Sequence, residues 1–154
     1  MSGMYSAFQL QMVGEDQYTD RYHFWGEYRS DNFDRFERYT NNNIDEIVFN
    51  SLTPANPFSD WSGMYNVISR ANNNIKYIPQ AAQYDSKVTP ELIDADLAQS
   101  YALRAESYFY IVRVWGDAPV WTEPFENLSD ESERPRESKD KIINEVIIPD
   151  LEKA

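Results

Sequence analysis

The sequence predicts an all-α protein. Apolar residues recur at spacings of three and four in three stretches, which run over 57–78, 89–115 and 138–154. This spacing places the apolar side chains on one face of an α-helix. A fourth, aromatic-rich helix is predicted over Tyr18–Tyr28, whereas residues 1–17 show no sustained period. We therefore predict four main helices that pack as antiparallel pairs.

The central helix is predicted over 89–115 from its start and stop signals. Thr89 is suited to the N-cap position and Pro90 to the first helical position. Gly116 adopts the left-handed conformation that commonly ends a helix, and Pro119 cannot continue one. These signals are local in sequence, so they predict both ends of the helix directly.

Apolar residues cover most of the girth of this helix. One face carries Leu97, Tyr101, Ala105, Tyr108, Val112 and Trp115, and it is widened by Ala98, Ala102, Phe109 and Ile111. Only a narrow polar stripe is left, formed by Asp96, Ser100, Arg104 and Ser107. A helix of this kind needs cover on more than one side, so we predict that it lies at the centre of a bundle. Arg104 and Arg113 are expected to pair with carboxylates of neighbouring helices.

The flanking helices have equally local signals. Asn56 is a good N-cap with Pro57 at the first helical position, and Pro79 should stop this second helix. Ser138 is predicted to cap the last helix, in which Pro149 should produce a kink. The apolar face of the last helix is predicted to comprise Ile142, Ile143, Val146, Ile147 and Leu151.

The stretch 29–57 changes abruptly in composition. It is rich in Asn, Asp, Arg and Thr, which satisfy turns with their own side chains. We predict a long ordered loop with short helical pieces, and such loops in compact domains are commonly functional. The segment 118–123 alternates weakly and is predicted to lie extended against the bundle.

Length and charge limit the classes of function. The chain has 154 residues, of which 42% are hydrophobic and 15% aromatic, as expected for a packed core. Its formal net charge is −12 at pH 7. Such a surface repels phosphate backbones and anionic lipid headgroups, which argues against nucleic acid as a partner. Neutral sugars carry no such penalty.

The residue types for catalysis or metal binding are sparse. The chain has no cysteine and one histidine, His23, so a cysteine- or histidine-based metal site has too few ligands. Its carboxylates are scattered over helix ends and polar faces, where solvation and helix dipoles explain them. A glycosidase would instead need two carboxylates facing each other across a cleft. We predict a protein that is not an enzyme and that holds no metal or cofactor.

A binding site is better supported by the residue types of the long loop. Sugar rings stack on exposed aromatic rings, and their hydroxyls bind planar polar groups such as those of Asn, Asp and Arg. The loop combines these types, and Trp121 in the extended segment supplies another aromatic ring. The predicted ligand-binding residues are Arg29, Asp31, Asn32, Arg35, Tyr39, Asn42, Asn43 and Trp121.

Three blocks of sequence carry a resemblance to a known family. ALRAESYFYIVRVWGDAPVWTEP (102–124) resembles the signature helix and aromatic-Gly-Asp-x-Pro turn of the SusD/RagB family of bacterial surface glycan-binding lipoproteins. WSGMYNVISRANNNIKYI (61–78) and SKDKIINEVIIPDLEKA (138–154) agree with it in order and spacing. The resemblance implies a tetratricopeptide-like array of antiparallel helix pairs, of which the chain would be the N-terminal helical portion.

The same resemblance implies a function in carbohydrate uptake. The parent protein would be a lipid-anchored protein at the cell outer membrane that captures oligosaccharide or another nutrient. It would then deliver this ligand to a TonB-dependent SusC-like transporter. The alternative is a generic tetratricopeptide-like interaction module that binds a peptide between its helical hairpins.

The chain is also expected to be an excerpt from a longer protein. Its first residues do not resemble a signal peptide, and it contains no cysteine to carry a lipid. Family members are several times longer. We accordingly expect one helical domain over 1–154, with the C-terminal part of the family fold absent.

Overall fold

The computed structural model describes residues 2–13, 20–32, 42–127 and 133–154. The α-helices are α1 (Ser2–Val13), α2 (Asp20–Trp25), α3 (Asn42–Val48), α4 (Ser62–Tyr77), α5 (Pro90–Val114), α6 (Lys139–Ile142) and α7 (Ile148–Lys153). Within these ranges the β-type pairing is a single isolated bridge between Ala118 and Glu137. The predicted all-α class is confirmed.

The chain forms two compact units. One unit contains the segment up to Phe8 together with Met64–Ala154, and the other contains Gln9–Gly63. Each unit is described by itself below. The expectation of one helical domain over 1–154 stays a prediction.

The central helix α5 has the ends that the sequence predicts. The Thr89 hydroxyl accepts a hydrogen bond from the backbone N–H of Leu92 at 3.4 Å, and Pro90 is the first helical residue. The helix ends at Val114, after which Gly116 has a φ of 77°. Since this left-handed conformation carries no steric penalty for glycine, it ends the helix at little cost.

Three of the four polar residues of the stripe on α5, Ser100, Arg104 and Ser107, are buried, and Asp96 is half-buried. Ser100 and Ser107 are completely buried, whereas Phe109 from the predicted apolar face is 45% exposed. The hydroxyls of Ser100 and Ser107 each donate at 2.8 Å to a carbonyl four residues earlier, the second of these belonging to Leu103. Their burial therefore leaves no unmet hydrogen bond, and their small size permits close packing.

Arg104 is the centre of this buried stripe. Its guanidinium makes a two-pronged contact with the Asp150 carboxylate, with Nε–Oδ2 and Nη2–Oδ1 distances of 2.7 and 2.8 Å. Its Nη1 also donates to the Asn72 side-chain oxygen at 2.7 Å and to the Thr122 carbonyl at 3.0 Å. The expected pairing of Arg104 with a carboxylate is confirmed. Arg113 instead lies over the ring of Phe109 at 5.3 Å.

The segment 118–123 lies extended against α4 and α5, as predicted. The hydroxyl of Tyr108 donates to the Trp121 carbonyl at 2.9 Å and accepts from the Trp121 N–H at 2.8 Å. The Asn72 amide donates to the carbonyls of Trp121 and Glu123 at 3.1 and 3.2 Å. Burial raises the pKa of Tyr108 to about 12, so this hydroxyl stays protonated at neutral pH.

The last helical region begins as predicted and buries Ile142, Val146 and Ile147 of the predicted apolar face. Ser138 caps it, with its hydroxyl accepting from the Lys141 N–H at 3.3 Å. Leu151 is 56% exposed, while Asp150 is only 2% exposed, so the predicted burial of Leu151 is wrong. Asp150 continues the spacing of four set by Ile142 and Val146, and its charge is offset by Arg104.

The predicted kink at Pro149 takes the form of a wider helical turn. Residues Ile143–Ile147 form a π-helical stretch directly before α7, which contains Pro149. Proline has no N–H to donate and its ring crowds the carbonyl four residues earlier. A turn with more residues relieves that crowding.

Two predicted helix starts need correction. Asn56 caps a short 3-10 turn over Pro57–Ser59, and α4 begins only at Ser62, whose N–H donates to the Asp60 carboxylate at 2.9 Å. The aromatic-rich helix is α2 followed by a 3-10 turn over Glu27–Arg29. Asn56 therefore acts as a cap, as predicted, but it caps a short turn of the loop and not helix α4.

Helix α1 was not predicted. Its residues Met4 and Ala7 pack with Val67, Ala71 and Leu103 in a buried apolar cluster. On the same helix Tyr5 and Leu10 are 44% and 52% exposed, so apolar residues occur all around it. Because apolar residues lie on all sides of α1, the sequence shows no helical period there. The residues of α4 and α5 that pack against α1 are distant in sequence, so they give no local signal either.

The buried Arg104–Asp150 pair generates a prediction about stability. Asp150→Asn removes one charge, keeps nearly the same shape, and leaves the Arg104 guanidinium buried without its counterion. We expect the free energy of unfolding to fall by about 3–5 kcal/mol, measured by urea denaturation. Lys141→Met, which breaks the exposed Glu137–Lys141 pair, is the control and should leave the midpoint nearly unchanged. Equal effects of the two changes would contradict this role for Arg104.

Candidate functional site

The predicted ligand-binding residues fall in both compact units. Arg29, Asp31 and Asn32 lie at a turn after α2, and Asn42 and Asn43 open α3. All five are exposed and belong to the unit over Gln9–Gly63. Trp121 belongs to the other unit. Arg35 and Tyr39 lie outside the described residues.

Arg29 is fixed to the far end of the loop. Its Nε donates to the side-chain oxygen of Asn50 at 3.1 Å, and the Asn50 amide donates back to the Arg29 carbonyl at 3.5 Å. Asn50 has a φ of 53°, a left-handed conformation that asparagine tolerates better than most residues. These contacts join residues that are 21 positions apart in the chain.

The turn that carries Asp31 and Asn32 is held by its own serine. The Ser30 hydroxyl donates to the Glu27 carbonyl at 2.7 Å and accepts from the Asn32 N–H at 3.3 Å. This local bonding fixes the backbone while the side chains of Asp31 and Asn32 stay exposed. Their carboxylate and amide groups are therefore accessible to a polar ligand.

Glu46 organises the second half of the loop, a role that the sequence analysis missed. One carboxylate oxygen accepts from the N–H and the hydroxyl of Thr53, both at 3.0 Å, and from the Asn56 amide at 3.1 Å. The Asn56 amide also donates to the Asn43 carbonyl at 2.9 Å. The hydrogen bond from Asn56 and then those from Thr53 lower the pKa of Glu46 below its ordinary value.

Three aromatic residues of this unit, Phe24, Tyr28 and Phe58, pack together. The rings of Phe24 and Phe58 meet edge to face with centroids 4.5 Å apart, and Tyr28 lies 5.0 Å from Phe24. The Trp25 indole N–H donates to the Phe58 carbonyl at 3.0 Å, and Arg21 donates to the Asp60 carbonyl at 3.0 Å. These contacts join α2 to the end of the loop.

Trp121 is half-buried, with neighbours on several sides of its ring. Tyr65 meets it edge to face at 5.4 Å, and Phe125 lies at 6.1 Å. The Arg134 guanidinium stands 5.8 Å from the ring centroid and also donates to the Val120 carbonyl at 2.8 Å. The backbone of Trp121 is fixed by hydrogen bonds with Tyr108 and Asn72. The Trp121 ring is therefore held in one position.

Neither a metal site nor a membrane span is found in the described ranges. Across residues 2–13, 20–32, 42–127 and 133–154, no three His, Cys, Asp or Glu side chains come together as metal ligands. His23 packs against the ring of Tyr28 at 6.4 Å. Among the helices over the same residues, none has the length and apolar character needed to cross a bilayer.

Comparisons with known proteins give a consistent result. A SusD-like family model, described as starch-binding and associating with the outer membrane, matches residues 4–154. "SusD-like protein P38" of Formosa agariphila is 32% identical over 89% of this chain and 26% of its own length. A "SusD-like protein" of Bacteroides ovatus is 26% identical over 96% of this chain and 23% of its own length.

A solved structure is similar over almost the whole chain. The crystal structure of a SusD superfamily protein from Bacteroides thetaiotaomicron matches with a TM-score of 0.78 and 25% identity. The match covers 99% of this chain and 32% of that protein. This likeness confirms the predicted tetratricopeptide-like helical class. The chain spans about a quarter of the length of the curated relatives that it matches.

The Glu46 contacts generate a prediction about pH. Because the pKa of Glu46 is lowered in the folded chain, its stabilising effect is present above the ordinary value of 4.5 and is lost as the pH falls through the folded value. We expect the Thr53 amide to lose protection from hydrogen exchange in that acidic range, measured by NMR.

Glu46→Gln provides the matched variant, since it removes the charge and keeps the shape. It should show the lower protection of the Thr53 amide already at neutral pH. Glu27→Gln, at an exposed carboxylate of the same unit, is the control. Protection that depends on pH equally in the wild-type and Glu46→Gln chains would contradict this role for Glu46.

Proposed function

We propose, since the chain belongs to the SusD-like family, that it forms part of a surface protein that captures oligosaccharide and delivers it to a TonB-dependent SusC-like transporter. The observation that carries this proposal is the family match over residues 4–154. The family description names starch binding and association with the outer membrane. The parent protein would be lipid-anchored there and exposed at the cell surface.

The chemistry of the surface supports a neutral ligand. A net charge of −12 disfavours anionic partners, but it does not repel uncharged sugar hydroxyls. The turn after α2 presents the guanidinium of Arg29, the carboxylate of Asp31 and the amide of Asn32 within four consecutive positions. Groups of these types can donate to and accept from neighbouring hydroxyls of one sugar ring.

Binding without catalysis also agrees with the state of the carboxylates. Asp150 is buried and paired with Arg104, and Glu46 accepts hydrogen bonds from its own loop. Glu126 pairs with Lys76 at 2.6 Å. Each of these groups has a structural partner in its own unit, so we propose that the chain takes part in binding and performs no hydrolysis.

The exposed turn after α2 generates a test of ligand binding. We expect Asp31→Ala and Asn32→Ala each to weaken binding of a neutral oligosaccharide by roughly twofold to tenfold, the effect of losing one hydrogen bond. Isothermal titration against a panel of neutral glycans measures the change. Asp94→Ala and Asn73→Ala, at exposed positions of α5 and α4, are matched controls. Equal affinities of all four variants and the wild type would refute a role for the turn.

The proposed delivery step has its own test. A tagged full-length parent protein, expressed in its own cells, should co-purify with a SusC-like transporter from detergent-solubilised outer membranes. The reason is that transfer of the sugar requires the two proteins to meet at the membrane surface. A transporter absent from the purified material, with the tagged protein present in the outer membrane, would refute delivery and leave glycan binding standing.

A further inference from the structure

We propose that the groove beside Phe125 is a second contact site for sugar, able to take one uncharged pyranose ring. This inference rests on the proposed glycan-binding function and adds a site to it. The groove has a volume of about 350 Å³ and is lined by Lys76, Trp121, Phe125, Glu126, Asn127 and Arg134. This volume is at the lower end of the range of about 300–1,000 Å³ for ligand sites. It is sufficient for one pyranose ring.

Phe125 is the ring that is accessible in this groove. It is 48% exposed, whereas Trp121 is half-buried between Tyr65, Arg134 and Phe125 itself. An aromatic face is electron-rich and attracts the weakly positive C–H groups of a pyranose ring. Phe125 would therefore provide the stacking surface, and Trp121 would form the wall beside it.

The floor of the groove is fixed before any ligand arrives. The backbone of Trp121 is bonded on both its N–H and its carbonyl to the Tyr108 hydroxyl. Asn72 holds the carbonyls of Trp121 and Glu123, and Arg104 holds the Thr122 carbonyl. Because these groups are already ordered, a ligand loses little free energy in arranging the site.

The charges around the groove favour a neutral ring over an acidic one. Lys76 and Glu126 form an ion pair at 2.6 Å, and the Tyr77 hydroxyl also donates to Glu126. Arg134 and Glu123 contribute one further charge of each sign to the lining. The positive and negative charges of the lining residues are thus equal in number, whereas the whole chain has a net charge of −12. A carboxylate or sulfate on the sugar would meet no net positive charge here.

The polar groups that line the groove are of types that can bind sugar hydroxyls. The Arg134 guanidinium uses Nη1 for the Val120 carbonyl and has further donors on the same planar group. One Glu126 carboxylate oxygen accepts from the Tyr77 hydroxyl and the other pairs with Lys76, and each oxygen has a further lone pair that can accept from a sugar hydroxyl. A sugar ring could therefore stack on Phe125 while its hydroxyls bind the polar residues at the rim of the groove. A purely apolar groove would offer only the stacking contact.

The test compares Phe125 with a phenylalanine of equal exposure elsewhere in the same unit. The 154-residue chain is titrated with maltohexaose and cellohexaose as neutral probes and with trigalacturonic acid as an anionic probe, followed by NMR and calorimetry. We expect Phe125→Ala to weaken binding of a neutral probe by roughly threefold to tenfold, the effect of losing one aromatic contact. Phe125→Trp should preserve the affinity. Phe109→Ala, at a residue 45% exposed on α5, should leave it unchanged.

The outcomes separate this inference from the proposed function. If the wild-type chain binds a neutral probe and Phe125→Ala binds it equally well, the groove is not a sugar site while glycan binding survives. Tighter binding of trigalacturonic acid that depends on Phe125 would overturn the preference for a neutral ring. If the wild-type chain binds none of the probes, the groove is not a sugar site, and glycan binding is decided separately by the titration against the panel of neutral glycans.

Discussion

The buried contact between Arg104 and Asp150 is the constraint on which the larger unit depends. It joins the central helix to α7 across 46 positions of sequence, and both side chains are almost fully buried. A charge in that position is tolerated only because its counterion and its hydrogen-bond partners are supplied together. The same guanidinium reaches Asn72 and the Thr122 carbonyl, so one residue connects two helices and the extended segment. The position of Trp121 follows from this network.

The smaller unit is organised by polar contacts of a different kind. The Glu46 carboxylate accepts hydrogen bonds from Thr53 and Asn56, and the Asn50 side chain accepts one from Arg29. The exposed loop is therefore ordered mainly by its own side chains. These contacts are partly open to water and individually weak. The polar side chains of this loop, such as those of Asp31 and Asn32, therefore stay exposed. The aromatic residues Phe24 and Trp25 of α2 contact Phe58 at the end of the loop.

The two candidate sugar-contact regions use the same division of roles. In the smaller unit, a turn fixed by hydrogen bonds carries the exposed side chain of Asp31. In the other unit, the exposed ring of Phe125 follows residues 121–123, whose backbone is held by Tyr108, Asn72 and Arg104. Phe58 in the smaller unit packs against Phe24, and Trp121 beside Phe125 packs against Tyr65. Residue type alone therefore does not separate a stacking surface from a packing ring. Trp121 is a predicted ligand contact because it lies in the extended segment, and this remains a prediction; its ring lines the same groove as Phe125.

The helical class, the ends of α5 and the start of α6 can be predicted from local sequence, because Thr89, Gly116 and Ser138 act within a few residues of themselves. The family resemblance was equally local, since its motifs are contiguous. The burial of Asp150 in place of Leu151 and the formation of α1 depend instead on packing between segments that are distant in the chain. Helical periodicity is recognised from apolar residues alone. The burial of the charged Asp150 depends on Arg104, which folding brings into contact from 46 positions away in the chain.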